Sequence, residues 1–428
     1  MSIVLLVAVV IAGLVPATTR AATVPRVDIT PAGLSVAGKP FVPRGANYIR
    51  LADDGSGHRY ISTFEPGRYD GARAREMLGR LRADGYNTVR TFIDVGNEGT
   101  SGAEHGMGRG MTDERPYDPA YMDNVADFVR SAIAQRIHVM PVLYRFPQNC
   151  FYYSIVQGGR TCSRSVPAVA GHNALYLDPG HVRAKAEYMR QFSSALLARV
   201  GTANATGVLA YASDNEAYWE ADKAPWSTRS GSLAAPNGRR YDMTTAKGRQ
   251  SAADDAITYY TRQVRAGLLK GDPGAEYAMG FFTPWAVGRA GFDGFATSCT
   301  TTCDPTIDHR YPARAKAAKV DLLDIHFYPR NPATGYTVKT DLASAEVERL
   351  PWPFIVGEIG AHREFWNGDV TAAAHAVRDA ETASCRMGSK GTLFWTYDTD
   401  EQPELVNLTE AGGAMNGVMA PAARPSGC

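Results

Sequence analysis

Two carboxylates dominate the chemical reading of this chain. Glu216 follows Asp214 and Asn215 just after a short apolar run, and Glu358 follows Gly357 at the end of another. Two carboxyl groups flanking one bond can serve as proton donor and nucleophile, which is the requirement for glycoside hydrolysis. The Asn-Glu dipeptide is uninformative alone, because it also occurs at Asn97-Glu98. Its value depends on the elements that carry it.

Those elements read as an alternation. Short β-branched runs predict strands at 41–48, 87–93, 138–144, 208–212, 277–282, 322–327, 354–356 and 392–395. Helical periodicity predicts helices over 72–83, 119–135, 182–200, 245–269 and 370–387. A hairpin over 33–42, turning at Gly38-Lys39, precedes them. Eight strands mostly separated by helices predict an α/β fold, a single (β/α)8 TIM barrel spanning 23–428. An open doubly wound sheet is the rival, but no Gly-x-Gly-x-x-Gly follows the first strand. Long irregular stretches at 94–118, 145–178, 214–243 and 283–311 each follow a strand. In a barrel they collect at the C-terminal face, where active sites of this fold lie. Glu216 after strand four and Glu358 after strand seven then share that mouth. Trp219, Trp226, Trp285, Trp366 and Trp395 fall on the same face, while Trp352 precedes a strand. Indole faces can stack on sugar rings or anchor loops.

Composition removes other classes. With 45 Lys+Arg against 44 Asp+Glu over 428 residues, the net charge is +1. That balance does not supply the basic surface a nucleic-acid partner requires. Ile3–Val15 is an uninterrupted apolar run, followed by Pro16 and small residues to Ala22. It is too short to span a bilayer and suits a signal peptide over 1–22, so a secreted chain with no membrane attachment after cleavage is expected. The six cysteines, Cys150, Cys162, Cys299, Cys303, Cys385 and Cys428, allow fifteen pairings. Proximity favours 150–162 and 299–303, leaving 385–428, in an oxidising compartment. Cys299-x3-Cys303 has no second ligand pair at zinc spacing, and none of the nine histidines forms His-x-His. No metal and no cofactor are expected.

The placement of the glutamates resembles glycoside hydrolase clan A, the family 5 cellulase and mannanase type of barrel, over nearly all of the chain after residue 22. Gly38-Lys39-Pro40-Phe41-Val42-Pro43-Arg44-Gly45-Ala46-Asn47 is similar to the family's opening hairpin and first strand. Gly85-Tyr86-Asn87-Thr88-Val89-Arg90 resembles the second-strand motif, Asn215-Glu216 the fourth-strand pair and His326-Phe327-Tyr328 the sixth-strand His-x-Tyr. Glu358 in Ile355-Val356-Gly357-Glu358-Ile359-Gly360 matches the seventh-strand nucleophile, and Trp395 the eighth-strand aromatic. Each motif is weak alone; six in order are specific together. The resemblance implies a retaining β-glycosidase acting on a poly- or oligosaccharide, working as a monomer. Glu216 would be the acid/base with a raised pKa, and Glu358 the nucleophile, kept ionised by Arg90 and hydrogen-bonded by Tyr328. Asn215 would bind the hydroxyl beside the reacting carbon, His326 would line that subsite, Trp395 would floor it, and Asn47 would join the substrate-binding set. A non-hydrolytic carbohydrate-binding barrel and a transglycosylase are the alternatives. Two departures concern the subfamily: Leu143-Tyr144-Arg145 ends strand three without a histidine, and Ala217 rather than proline follows Glu216.

Overall fold

The computed structural model describes residues 23–53, 55, 57, 59–95, 106–108, 110, 112–159, 171–287, 310–330 and 335–424. The expected signal segment 1–22 lies outside them, as do Cys162, Cys299, Cys303 and Cys428.

Eight parallel strands close into a barrel. In chain order they are β1 (Arg44–Tyr48), β2 (Thr88–Phe92), β3 (His138–Val142), β4 (Tyr211–Ala212), β5 (Tyr277–Phe282), β6 (Leu322–Phe327), β7 (Phe354–Ile359) and β8 (Thr392–Phe394). Neighbours pair in sequence order, and β8 returns to β1. The helices packed among the connections include α1 (Gly71–Ala83), α2 (Pro119–Ala134), α3 (Pro179–Val200), α4 (Ala246–Gly271), α5 (Val338–Ser344), α6 (Val370–Arg386) and α7 (Glu410–Met419). The expected TIM-barrel architecture is therefore present. A three-stranded sheet of Asp28–Thr30, Gly33–Val36 and Lys39–Pro40 precedes it, turning at Ala37-Gly38.

Differences from the expected boundaries have local causes. Helix α3 starts three residues early because Asp178 caps it and Pro179 fits its first turn. Strand β4 keeps only Tyr211–Ala212, with Val208 reduced to an isolated bridge to Val139. Strand β7 runs past Val356 to Ile359. Helix α5, which the sequence did not announce, has about two turns and only Asp341 and Leu342 buried, too short for a periodic signal.

Strand alternation divides the apolar residues between two cores. Val89, Val139, Leu323 and Val356 point outward into the layer shared with the helices. Phe92, Met140, Val142, Leu322, Ile355 and Leu393 point into the barrel, where Val27 and Leu34 of the N-terminal sheet join them. On β6 the inward positions run Leu322, Asp324, His326, so the interior turns from apolar to ionic toward the C-terminal mouth.

Cys150 corrects one expectation. It opens the helix Cys150–Val156, whose start Asn149 caps, and its half-buried sulfur is a free thiol, so the 150–162 staple is not formed. Among the described residues no helix is long and apolar enough to cross a membrane.

At the opposite, N-terminal rim, Glu276 precedes β5 beside Asp321. Burial and the charge of Asp321 push its carboxyl from 4.5 to about 7. A carboxyl raised in the folded state keeps its proton after the unfolded chain has released its own. Stability is therefore lost as pH climbs from about 4.5 to about 7. Glu276→Gln is expected to melt higher than the parent at pH 7.5 and equally at pH 4. Equal differences at both pH values would exclude Glu276 as the source.

Candidate active site

Arg90 stands on β2 inside the barrel, with no solvent exposure. Its Nε donates to Asp324 Oδ2 at 3.0 Å, and Nη1 donates to Asn47 Oδ1 at 2.9 Å and Glu358 Oε1 at 2.7 Å. Nη2 donates to Asn215 Oδ1 at 2.8 Å and lies 3.2 Å from His326 Nε2. One guanidinium thus ties together β1, β6, β7 and the segment after β4. Register explains why: Asn47 pairs with Arg90 across β1 and β2, and His326 with Glu358 across β6 and β7.

The β6–β7 pairing passes from Ile325↔Val356 to His326↔Glu358, so Gly357 is an extra residue. A Cβ there would fall 1.7 Å from Asp324 Oδ1. The glycine before Glu358 is therefore required by the buried aspartate facing it. Across the barrel, Gly280 of β5 plays a matching part: its N–H donates to Asp214 O at 3.0 Å, and a Cβ would lie 1.8 Å from Asn215 O. Asp214, buried, accepts from Tyr260 Oη at 2.7 Å, Ser213 Oγ at 2.8 Å and Tyr176 Oη at 3.2 Å. These bonds hold the turn that presents Asn215 and Glu216.

Glu358 is nearly fully buried, and Tyr328 Oη donates to its Oε2 at 2.8 Å. Glu216 keeps about a fifth of its side chain open, 22%. Its Oε1 lies 3.2 Å from His326 Nδ1, which is also 3.6 Å from Glu358 Oε1. One oxygen of each glutamate and one nitrogen of His326 fall within 4.8 Å of one another. A metal ion there would compete with the Arg90 bond to Glu358.

The charges divide unevenly. Burial opposes a charge on His326, but Glu358 and Asp324 outweigh burial and Arg90, pushing its pKa up to about 10. Burial raises the Glu358 carboxyl, and the charge of Glu216 adds to it against the pull of His326 and Arg90. Burial also raises Glu216, but the hydrogen bond and charge of His326, with Arg310 and Arg90, outweigh it and hold that carboxyl low. The expected order, Glu216 raised and Glu358 lowered, is reversed because three cations converge on Glu216.

The sequence-assigned residues Arg90, Asn215, Glu216, His326, Tyr328 and Glu358 meet at one mouth. Asn47 is buried, with Nδ2 donating to Gly357 O at 2.8 Å and Phe394 O at 3.3 Å. It holds the site together from beneath instead of facing a ligand. Trp395, 8% exposed, packs edge-on to Phe92 at 5.5 Å and donates to Gln402 Oε1 at 3.0 Å. Trp219 and Trp226 are buried against each other at 5.0 Å and anchor a loop, which removes them from the expected sugar-facing cluster.

Two charged residues escaped the sequence reading. Asp324 lies two positions before His326, a parity that puts both on the inward face of β6 and could have revealed it. Arg310 has no such signal. It reaches the site on a two-stranded ribbon, Arg310–Pro312 paired with Tyr218–Glu220, and its Nη1 is 3.8 Å from Glu216 Oε2. The rings of Tyr218 and Phe282 flank it at 5.2 and 5.3 Å.

Because Arg90 is the buried guanidinium paired with both Asp324 and Glu358, removing it leaves these two buried carboxylates to share the His326 ring. Arg90→Met is expected to destabilise the fold by about 3–5 kcal/mol. Urea unfolding at pH 7 measures this; a loss below about 1 kcal/mol would contradict the pairing.

No protein-family model matches the chain, and no curated protein matches it. Solved structures do. The exo-β-1,4-mannosidase of Opitutaceae bacterium strain TAV5 superposes with a TM-score of 0.55 at 15% identity, over 95% of this chain and 62% of its own. This chain thus spans less than two thirds of that enzyme. The β-mannanase of the blue mussel Mytilus edulis gives 0.53 at 13% identity, over 94% and 98% of the two chains. The endo-1,4-β-mannanase of Rhizomucor miehei gives 0.53 at 14%, over 94% and 99%. At such identities the likeness shows the fold: the chain shares the eight-stranded parallel barrel architecture of these enzymes.

Proposed function

We propose that the protein is a secreted retaining β-glycoside hydrolase, with Glu358 as nucleophile and Glu216 as acid/base. The observation that carries this reading is the closeness of the pair: one oxygen of Glu216 and one of Glu358 lie within 4.8 Å of each other. Carboxyl groups about 5–5.5 Å apart suit direct attack, whereas about 6.5–9.5 Å leaves room for an activated water.

In the first step a Glu358 oxygen bonds to the anomeric carbon while the bond to the leaving oxygen breaks and that oxygen takes the Glu216 proton. In the second, Glu216 removes a proton from water, the water oxygen bonds to the anomeric carbon, and the Glu358 ester bond breaks. Two inversions give retention. Asn215 Oδ1 is engaged by Arg90, so its Nδ2 is the donor for the neighbouring sugar hydroxyl. Tyr328 and Arg90 steady Glu358 as its charge is spent and restored. Trp395 offers the sugar a short apolar floor. The exo-mannosidase and mannanases that share the fold make aryl β-mannosides and β-1,4-mannan the first substrates to try.

Early-time NMR of the products should show retained configuration; an inverted product would overturn the assignment. Glu358→Ala should lose turnover by at least about 10⁴-fold while melting near the parent. Glu216→Ala should still release an activated phenol, with azide accelerating the second step.

Secretion rests on the apolar run at 3–15 and on cysteine usage. Cys385 is disulfide-bonded; we assign its partner as Cys428, with Cys299 joined to Cys303. Thiol titration of the denatured, unreduced protein should then find two free thiols per chain, Cys150 and Cys162. Six would remove the oxidising compartment from the reading.

A further inference from the structure

His326 is fully buried, and the groups facing it are few. Its Nε2 is 3.2 Å from Asp324 Oδ1 and 3.2 Å from Arg90 Nη2; its Nδ1 is 3.2 Å from Glu216 Oε1 and 3.6 Å from Glu358 Oε1. Tyr328 reaches the cluster through Glu358, and Arg310 through Glu216. Three protonation forms of the ring compete. A neutral ring with its proton on Nε2 turns a bare Nδ1 lone pair toward the Glu216 and Glu358 oxygens at 3.2 and 3.6 Å, which repels whichever of them is ionised. A neutral ring with bare Nε2 accepts from Arg90 and leaves Asp324 Oδ1, a buried carboxylate oxygen, without a donor. A charged ring sets its positive Nε2–H 3.2 Å from Asp324 Oδ1 as an ion-pair partner and its Nδ1–H toward Glu216, at the cost of one close approach to Arg90. With one proton shared by the glutamates, Asp324 and the remaining carboxylate charge, at 3.2–3.6 Å, attract the ring against one repulsion from Arg90 at 3.2 Å, which favours the charged ring.

We propose that Asp324 is a positioning residue of the proposed glycosidase. By binding Arg90 and His326 together, it keeps His326 as an imidazolium whose Nδ1–H serves both catalytic carboxylates. Asp324 is completely buried and touches no substrate. Its effect passes through His326 to Glu216 and Glu358, with Gly357 leaving the space that lets it approach. A catalytic pair tuned by a buried counter-ion differs from one tuned by burial alone. The carboxylates can then stay charged deep in the barrel, and the proton distribution between them is set from below.

Resting on the glycosidase reading, the inference is tested by a measurement that needs no substrate. In ¹⁵N-histidine-labelled protein, the His326 signal (identified by its loss in His326→Gln) should carry protons on both ring nitrogens from pH 5 to 9. In Asp324→Asn, which keeps the side-chain shape, His326 should titrate at least about one pH unit lower. With an aryl β-glycoside, that variant's kcat should fall at least about tenfold while KM changes less than about twofold. A bare Nε2 at pH 7 in the parent protein would overturn the proposal even if the variant fails to fold. So would a folded variant with an unchanged His326 titration. Absence of glycosidase activity in the parent would instead refute the reading of function and leave the His326 result standing.

Discussion

A guanidinium held without water at the centre of a β-barrel constrains everything around it. Removing an ion from water costs several kcal/mol, and the cost is offset only when each donor finds an acceptor in good geometry. Arg90 finds Asp324, Asn47, Glu358 and Asn215, contributed by three strands and the turn after a fourth. Lysine would present three donors from a point, and a planar fork is what matches acceptors spread around a ring. Given Arg90, the side chain of Asn47 must lie at its level on β1, Gly357 must leave room for Asp324, and Glu358 must project into the mouth.

The same constraint explains which features were legible in the sequence. Barrel strands such as Val139–Val142 and Leu322–Phe327 declare themselves by apolar content, and the helices by caps and period. Glu216 and Glu358, the proposed catalytic pair, declare themselves by following the fourth and seventh strands. Asp324 did not, because a single acid inside an otherwise apolar strand carries no periodic signal; only its parity with His326 marks its face. Arg310 is illegible for another reason. Its neighbourhood to Glu216 comes from the pairing of Trp219 with Tyr311, two residues distant in sequence with α4 and β5 between them. Tryptophans at 219 and 226 misled because position along the chain places a residue at the mouth without stating which way its ring turns.

Function and stability occupy different ends of the barrel. At the N-terminal rim, Asp321 accepts from Arg265 and from the Tyr277 N–H, and Glu276 beside it is raised by burial and by that charge. The interior between the rims is apolar, filled by Met140, Ala210, Leu322 and Leu393 and closed by Val27 and Leu34. That layer separates the two carboxylate clusters. The lower one can lose stability with rising pH without altering the charge balance of the upper one.

At the mouth the balance itself has a chemical consequence. The reaction as proposed needs the proton on Glu216 and the charge on Glu358, while His326, Arg310 and Arg90 favour the opposite placement. Two carboxyls this close titrate as a pair, so a single shared proton can sit on either of them. Each pKa unit separating the two placements costs about 1.4 kcal/mol of barrier. The same cations recover part of that cost, because Glu216 becomes a carboxylate as the leaving oxygen takes its proton, and His326 and Arg310 already face it. Groups that disfavour the protonated acid in the resting site stabilise its conjugate base in the transition state. A site so arranged trades ground-state population for stabilisation where charge develops.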